Sequence, residues 1–177
     1  MRIVAGAFRG RQLKSPTWEG LRPTSDRLRE TLFNILGPSV RGARVLDGYA
    51  GTGAIGIEAL SRGAAAVTFV EKDPRAVKLI ESNLAALGAS GAIIRAGLAE
   101  AAARLGGQVF DLIILDPPYA DTAAAAALDA AGALALAETR VVIEHAARHR
   151  PPDAHAALRL TRTVKAGDSA ISFYEHL

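Results

Sequence analysis

Between residues 43 and 146 of this 177-residue chain, short unbroken apolar runs alternate with segments of helical periodicity. The runs ARVLD, AAVTFVE, GAIIRA, FDLIILD and RVVIEH read as strands. AIGIEALSR, PRAVKLIESNLAAL, LAEAAARL and the alanine-rich stretch 120–138 read as the helices between them. Strands that are apolar at every position must be covered on both faces, and helical crossovers place them parallel to one another. The pattern predicts an α/β fold on a mainly parallel sheet. ALRLTRTVKAG and SAISFYEHL, split by the turn signal Gly167-Asp168, add a closing pair and bring the sheet to seven strands. In such sheets ligands sit beyond the carboxyl ends of the strands, where the strand order reverses. That rule selects Asp47 to Gly53, Glu71, Ala96-Gly97, Asp116 to Tyr119 and Glu144.

The sequence before this pattern has a different character. RIVAGAFRGRQLK, residues 2–14, predicts two short strands around Gly6 to Gly10, so that residues 1–20 form a basic β-ribbon ahead of a main domain over 21–177. LRPTSDRLRETLFNIL predicts a linking helix: Thr24 or Ser25 caps it, Leu28, Leu32, Ile35 and Leu36 share one face, and Gly37-Pro38 ends it. Residues 1–44 carry nine Lys/Arg against three acids, whereas residues 45–139 carry six basic against eleven acidic groups. A basic arm on an acidic body points to a polyanionic partner held near one end of the fold. Arg2, Arg9, Arg11, Lys14 and Arg22 are the candidate RNA contacts.

Composition removes several classes of function. With no cysteine there are no disulfides and no thiolate metal sites, and the absence fits a reducing compartment. His145, His149, His155 and His176 lack metal-ligand spacing and read as surface residues, and no metal site is expected. No run approaches the length of a membrane helix, and the first residues are too charged for a secretory signal. The expectation is a soluble, cytoplasmic monomer with no membrane partner.

The stretch VLDGYAGTGAIG holds G-x-G-x-x-G at Gly51, Gly53 and Gly56, after a strand and before a helix, the context a nucleotide loop requires. Glu71 ends the next strand, where a carboxylate can accept both ribose hydroxyls of an adenosine. A dinucleotide and S-adenosylmethionine (SAM) both suit this geometry. Asp47 tilts the choice, because an acid beside the loop favours a sulfonium and an ammonium and repels a pyrophosphate.

DPPY, residues 116–119, follows the fourth strand. Two prolines cannot extend a sheet ladder, since neither has an N–H to donate. An exocyclic amine of a nucleobase is a poor nucleophile because its lone pair is delocalised into the ring. Fixed acceptors for its N–H groups favour a pyramidal nitrogen whose lone pair faces the methyl donor. Asp116 offers a carboxylate, Pro117 a backbone carbonyl, and Tyr119 a ring on which an extruded base can stack.

The set of motifs resembles a known family. D-x-x-x-G-x-G after the first strand and DPPY after the fourth resemble SAM-dependent methyltransferases of exocyclic amines. RIVAGAFRGRQLKSP, LRPTSDRLRETLFNIL, VLDGYAGTGAIGIEALSRGAAAVTFVEKD, DLIILDPPY and AGDSAISFYEHL together resemble the bacterial 16S ribosomal RNA guanine-N2 methyltransferases that modify guanine 966 of the small subunit. The resemblance implies a Rossmann-like SAM-dependent methyltransferase fold with an N-terminal ribbon and linking helix. It implies cofactor contact from Asp47, Tyr49, Gly51, Gly53 and Glu71, with Thr24 and Arg29 near the methionine end, and catalysis by Asp116, Pro117 and Tyr119. The partner it implies is 16S rRNA within the small ribosomal subunit or an assembly intermediate. Two departures stand out: Gly48 replaces a larger residue, and Ala96-Gly97-Leu98 offers no side chain to read the adenine amine. A DNA methyltransferase for adenine-N6 or cytosine-N4 shares the loop chemistry, and an RNA-binding module without turnover shares the basic arm. A nicotinamide oxidoreductase shares the glycine loop but leaves DPPY unexplained.

Overall fold

A computed structural model describes residues 1–21, 24–119 and 122–177. α1 (Asp26–Leu36) starts where Ser25 accepts the Leu28 N–H through its side chain, and a short 3₁₀ turn over 37–40 follows it. The parallel strands are β1 (Arg44–Gly48), β2 (Ala66–Glu71), β3 (Ala92–Arg95), β4 (Leu112–Leu115) and β5 (Arg140–Ala146). Between them lie α2 (Ala54–Ser61), α3 (Pro74–Leu87), α4 (Leu98–Arg104) and α5 (Ala123–Gly132). β6 (Ala154–His155), β7 (Leu158–Ala166) and β8 (Ser169–His176) are antiparallel, and the sheet runs β3-β2-β1-β4-β5-β8-β7-β6. This is a Rossmann-like fold. The sheet has eight strands rather than seven, because the two-residue β6 is too short to leave a periodic signal.

Alternate residues of each strand feed two cores. Val45, Phe69, Leu112 and Ile114 pack with α1, α2 and α3 on one face. Leu46, Val70, Ile113 and Leu115 pack with α4 and α5 on the other. Double coverage explains why the strands read as unbroken apolar runs. α2 lies so close to the sheet that a Cβ on Gly56 would sit 2.3 Å from Phe69 Cε1, so the third glycine of the loop motif serves helix–sheet packing. Gly48 is similar: a Cβ there would lie 2.7 Å from Leu115 Cδ2. The small residue is matched to its neighbours and leaves no slack.

The N-terminal arm pairs with itself: Arg2 bridges Gln12 antiparallel, and the Ile3 and Leu13 N–H groups bind the Arg11 and Met1 carbonyls, each at 3.0 Å. Its outer donors go to α2. Val4 and Ala5 donate their N–H groups to the two Glu58 carboxylate oxygens at 2.9 and 3.0 Å, and the Ala7 N–H binds the Ser61 carbonyl at 2.7 Å. Backbone donors committed to a helix cannot also extend a ladder. The far side of the arm is held by α3, where Asn83 Oδ1 accepts the Lys14 N–H at 2.8 Å. No helix among the described residues is long and apolar enough to cross a membrane.

Candidate active site

Strand register builds the site. Gly48 pairs with Val70 on one side and with Leu115 on the other, and Leu115 pairs with Ile143. One residue further along each strand come Tyr49, Glu71, Asp116 and Glu144. Four candidate groups from four strands therefore share one level of the carboxyl edge, where the order turns from β2-β1 to β1-β4.

The loop after β1 is shaped by backbone conformations that most residues avoid. Tyr49, Gly51 and Gly53 have φ of 66°, 55° and 78°, a region glycine enters without steric cost and tyrosine does not. Glu71 holds the loop: its Oε2 accepts the Gly51 N–H at 2.8 Å, while Oε1 accepts that of Asp73 at 2.8 Å. Each carboxylate oxygen keeps a second acceptor site. Asp47 is 1% exposed, and its Oδ2 accepts the Gly56 N–H at 2.8 Å. Burial pushes its carboxyl up to about 7. It lies beneath the loop as a tie to α2, and the tilt towards a cationic ligand drawn from its charge alone is weakened accordingly.

Asp116 follows β4, with its N–H 3.4 Å from the Gly48 carbonyl. Thr24, just ahead of α1, donates its hydroxyl to Asp116 Oδ2 at 2.7 Å, which fixes the carboxylate. Burial raises the Asp116 carboxyl, and Glu144 is pushed up to about 7 by burial and then by the Asp116 charge. Asp116 and Glu144 each follow one member of the Leu115–Ile143 pair, so they are neighbours on adjacent strands. Tyr119 donates its hydroxyl to Glu144 Oε1 at 2.8 Å and contacts Ser169 Oγ at 2.7 Å. Its tip is anchored while the residue stays 46% exposed. Pro117 is buried and Pro118 is exposed.

The other candidate residues lie elsewhere. Arg29 is fully buried between α1 and α2, where Nη2 binds the Arg2 carbonyl and Asp26 Oδ1 and Nε lies 3.5 Å from Glu58 Oε2. Its main contacts are structural, yet its Nη1 has no hydrogen-bond partner. Arg2, Arg9, Arg11 and Lys14 are exposed on the arm. Arg11 also binds the Ala86 carbonyl at 2.7 Å, and Lys14 Nζ binds Ser82 Oγ at 2.6 Å. Arg22 lies outside the described residues. His145 departs from the surface reading: it is 6% exposed and bonds through Nε2 to Ser172 Oγ at 2.8 Å. No metal-binding cluster is found among the described residues.

Sequence reasoning leaves Glu144 without a role, although its place at the end of β5 marks it. The links Thr24–Asp116 and Glu144–Tyr119 join residues 92 and 25 positions apart, and no local pattern announces them.

A family model described as conserved hypothetical protein 95 matches residues 1–175. An Escherichia coli protein named ribosomal RNA small subunit methyltransferase D is 44% identical over 119 residues, which span 67% of this chain and 60% of that relative. The Bacillus subtilis protein YlbH is 35% identical over 99% of this chain and 98% of its own length. The solved structure of the Escherichia coli protein yhhF superposes with a TM-score of 0.86 at 35% identity, covering 99% of this chain and 97% of that one. Matched along nearly its whole length by that model, the chain belongs to the conserved hypothetical protein 95 family.

Proposed function

We propose that this protein transfers a methyl group from SAM to the exocyclic N2 of a guanine, guanine 966, in 16S ribosomal RNA of the small subunit. The observation that carries this reading is the single row of Tyr49, Glu71, Asp116 and Glu144 along the sheet edge, with Tyr119 beside it. The row joins a nucleoside-type loop to an amine-orienting motif. The name of the Escherichia coli relative supports the choice of small-subunit rRNA.

The residues present fit the cofactor. Glu71 retains free acceptor sites for ribose hydroxyls, and the glycine loop offers backbone where side chains would exclude a ligand. Arg29, whose Nη1 is unpartnered, lines a cavity of about 10 Å³ with Thr24 and Leu115. When bound, SAM supplies an electrophilic methyl group. Asp116, held by Thr24, accepts one N–H of the amine and the backbone at Pro117 accepts the other, which directs the nitrogen lone pair. Tyr119 offers its ring to the base and holds it in line for displacement. As the N–C bond forms the methyl–sulfur bond breaks, its electron pair returns to sulfur to leave S-adenosylhomocysteine, and the amine gives up one proton to solvent. Labelled SAM and unmodified small subunits test the reading directly.

Glu71→Ala is expected to weaken SAM binding by at least about tenfold, since a hydrogen bond to a charged group contributes roughly 1.5–3 kcal/mol. The variant also frees the Gly51 N–H. Calorimetric titration with SAM checks it, and an unchanged affinity removes Glu71 from the ribose site. The exposed arm, residues 1–20, is the proposed RNA platform. Neutralising Arg2, Arg9, Arg11 and Lys14 together should flatten the salt dependence of RNA binding. The slope should fall by about 0.7 for each phosphate no longer neutralised on a single-stranded site. An unaltered slope would place the RNA elsewhere.

A further inference from the structure

Beside Tyr119 opens a cleft of about 140 Å³, lined by Pro117, Tyr119, Ala124, Glu144, His149 and Arg150 among others. An apolar cavity of similar volume takes up a benzene-sized ring. Glu144 lines the cleft, and the pairing of Leu115 with Ile143 sets it beside Asp116, one residue further along the neighbouring strand. Tyr119 donates its hydroxyl to Glu144 Oε1 at 2.8 Å and contacts Ser169 Oγ at 2.7 Å.

Two adjacent carboxyls in one site are costly unless both meet donors. An exocyclic amine alone needs the acceptors already assigned to Asp116 and Pro117. Thr24 and Tyr119 each give one of these carboxyls a donor, and the acceptor sites left on Glu144 match a second donor beside the amine. Among the amino bases only guanine provides it: its N1 carries a hydrogen next to the N2 amine. Adenine N1 and cytosine N3 each present a lone pair there, which a carboxylate repels.

We infer that Glu144 is a substrate-contacting specificity residue that accepts the N1–H of guanine, while Asp116 accepts from the neighbouring N2 amine, with the base beside Tyr119. Without a base the two carboxyls face one another. The guanine edge supplies each with its own N–H, which relieves the repulsion as the base enters. The inference rests on the proposed guanine-N2 activity and adds the residue that selects guanine.

The test uses small-subunit ribosomal RNA assembled with either guanine or 2-aminopurine at the target nucleotide. 2-Aminopurine keeps the exocyclic N2 amine but has a lone pair at N1. Methyl transfer from labelled SAM is measured as kcat/KM for the wild type, Glu144→Gln and Glu144→Ala. Wild type should prefer guanine by roughly ten- to a hundredfold, the worth of one hydrogen bond to a charged group. Glu144→Ala should use guanine less well and lose most of the preference, with SAM affinity and circular dichroism unchanged. Glu144→Gln keeps an acceptor for Tyr119 but loses the charge, and should fall between the two. Wild-type preference retained in Glu144→Ala overturns the inference while leaving the guanine-N2 reading in place. No transfer by the wild type to either RNA overturns both.

Discussion

Asp116→Ala is expected to lower kcat for methyl transfer by roughly a hundred- to a thousandfold while SAM still binds. That is the range observed when one preorganised charge-stabilising group is removed from an active site. The size of the effect follows from the surroundings: Thr24 fixes one carboxylate oxygen at 2.7 Å, so the acceptor needs no reorganisation as charge develops on the amine. Asp116→Asn keeps an acceptor oxygen and should retain part of the activity. The separation between binding and turnover is the informative result, because a misfolded variant would lose both. Acidification should act in the same direction. Burial raises the Asp116 carboxyl and pushes Glu144 up to about 7. A carboxyl protonated below its pKa loses its charge and becomes a weaker acceptor, so kcat/KM should fall as pH drops through about 7, well above the ordinary carboxylate range. A profile flat down to that ordinary range would detach these two groups from the reaction.

The second large effect is expected far from the chemistry, at Glu58. This carboxylate is fully buried and receives the Val4 and Ala5 N–H groups, Arg62 Nε at 2.9 Å and the Arg29 guanidinium at 3.5 Å. Removing one partner of a buried ion pair leaves the other charge uncompensated, at a cost of about 3–5 kcal/mol. Glu58→Ala should therefore shift the urea midpoint to lower concentration and release the arm. Trypsin would then cut after Arg2, Arg9 and Arg11 faster than in the wild type. Glu58→Gln keeps some acceptor capacity and should be milder. An Ala variant with wild-type stability and proteolysis would show that the arm is held by its apolar anchors, Ile3 and Leu13, alone.

These two residues mark how far the sequence can be read. Asp116 is legible because its signal is local: an apolar strand, an acid and two prolines, all contiguous. The strand–helix order is legible for the same reason, since each element buries a face set by its own periodicity. Glu58 is hidden. It sits on a helix whose pattern is apolar nearly all round, and the backbone donors it receives from the arm lie more than fifty residues earlier in the chain. The arm reads as a ribbon because alternation and glycines describe a hairpin well, while nothing local reveals that the Val4, Ala5 and Ala7 donors are taken by α2. His145 misleads in the opposite sense. Arginines surround it in sequence, but β5 turns its ring inward against Ser172 of β8. Of the edge residues, Glu71 and Glu144 can be placed by strand ends alone. Their partners come only with the register that brings β2, β1, β4 and β5 level.

The claim on which the account turns is methyl transfer to a guanine amine in small-subunit RNA. Its most direct measurement is the transfer of labelled methyl from SAM to small subunits prepared without the modification, followed by mapping of the labelled nucleotide. The account predicts one labelled position, guanine 966 of 16S rRNA, carrying the methyl on N2. Label on another base, on a ring nitrogen or ribose, or no label at all, would contradict it.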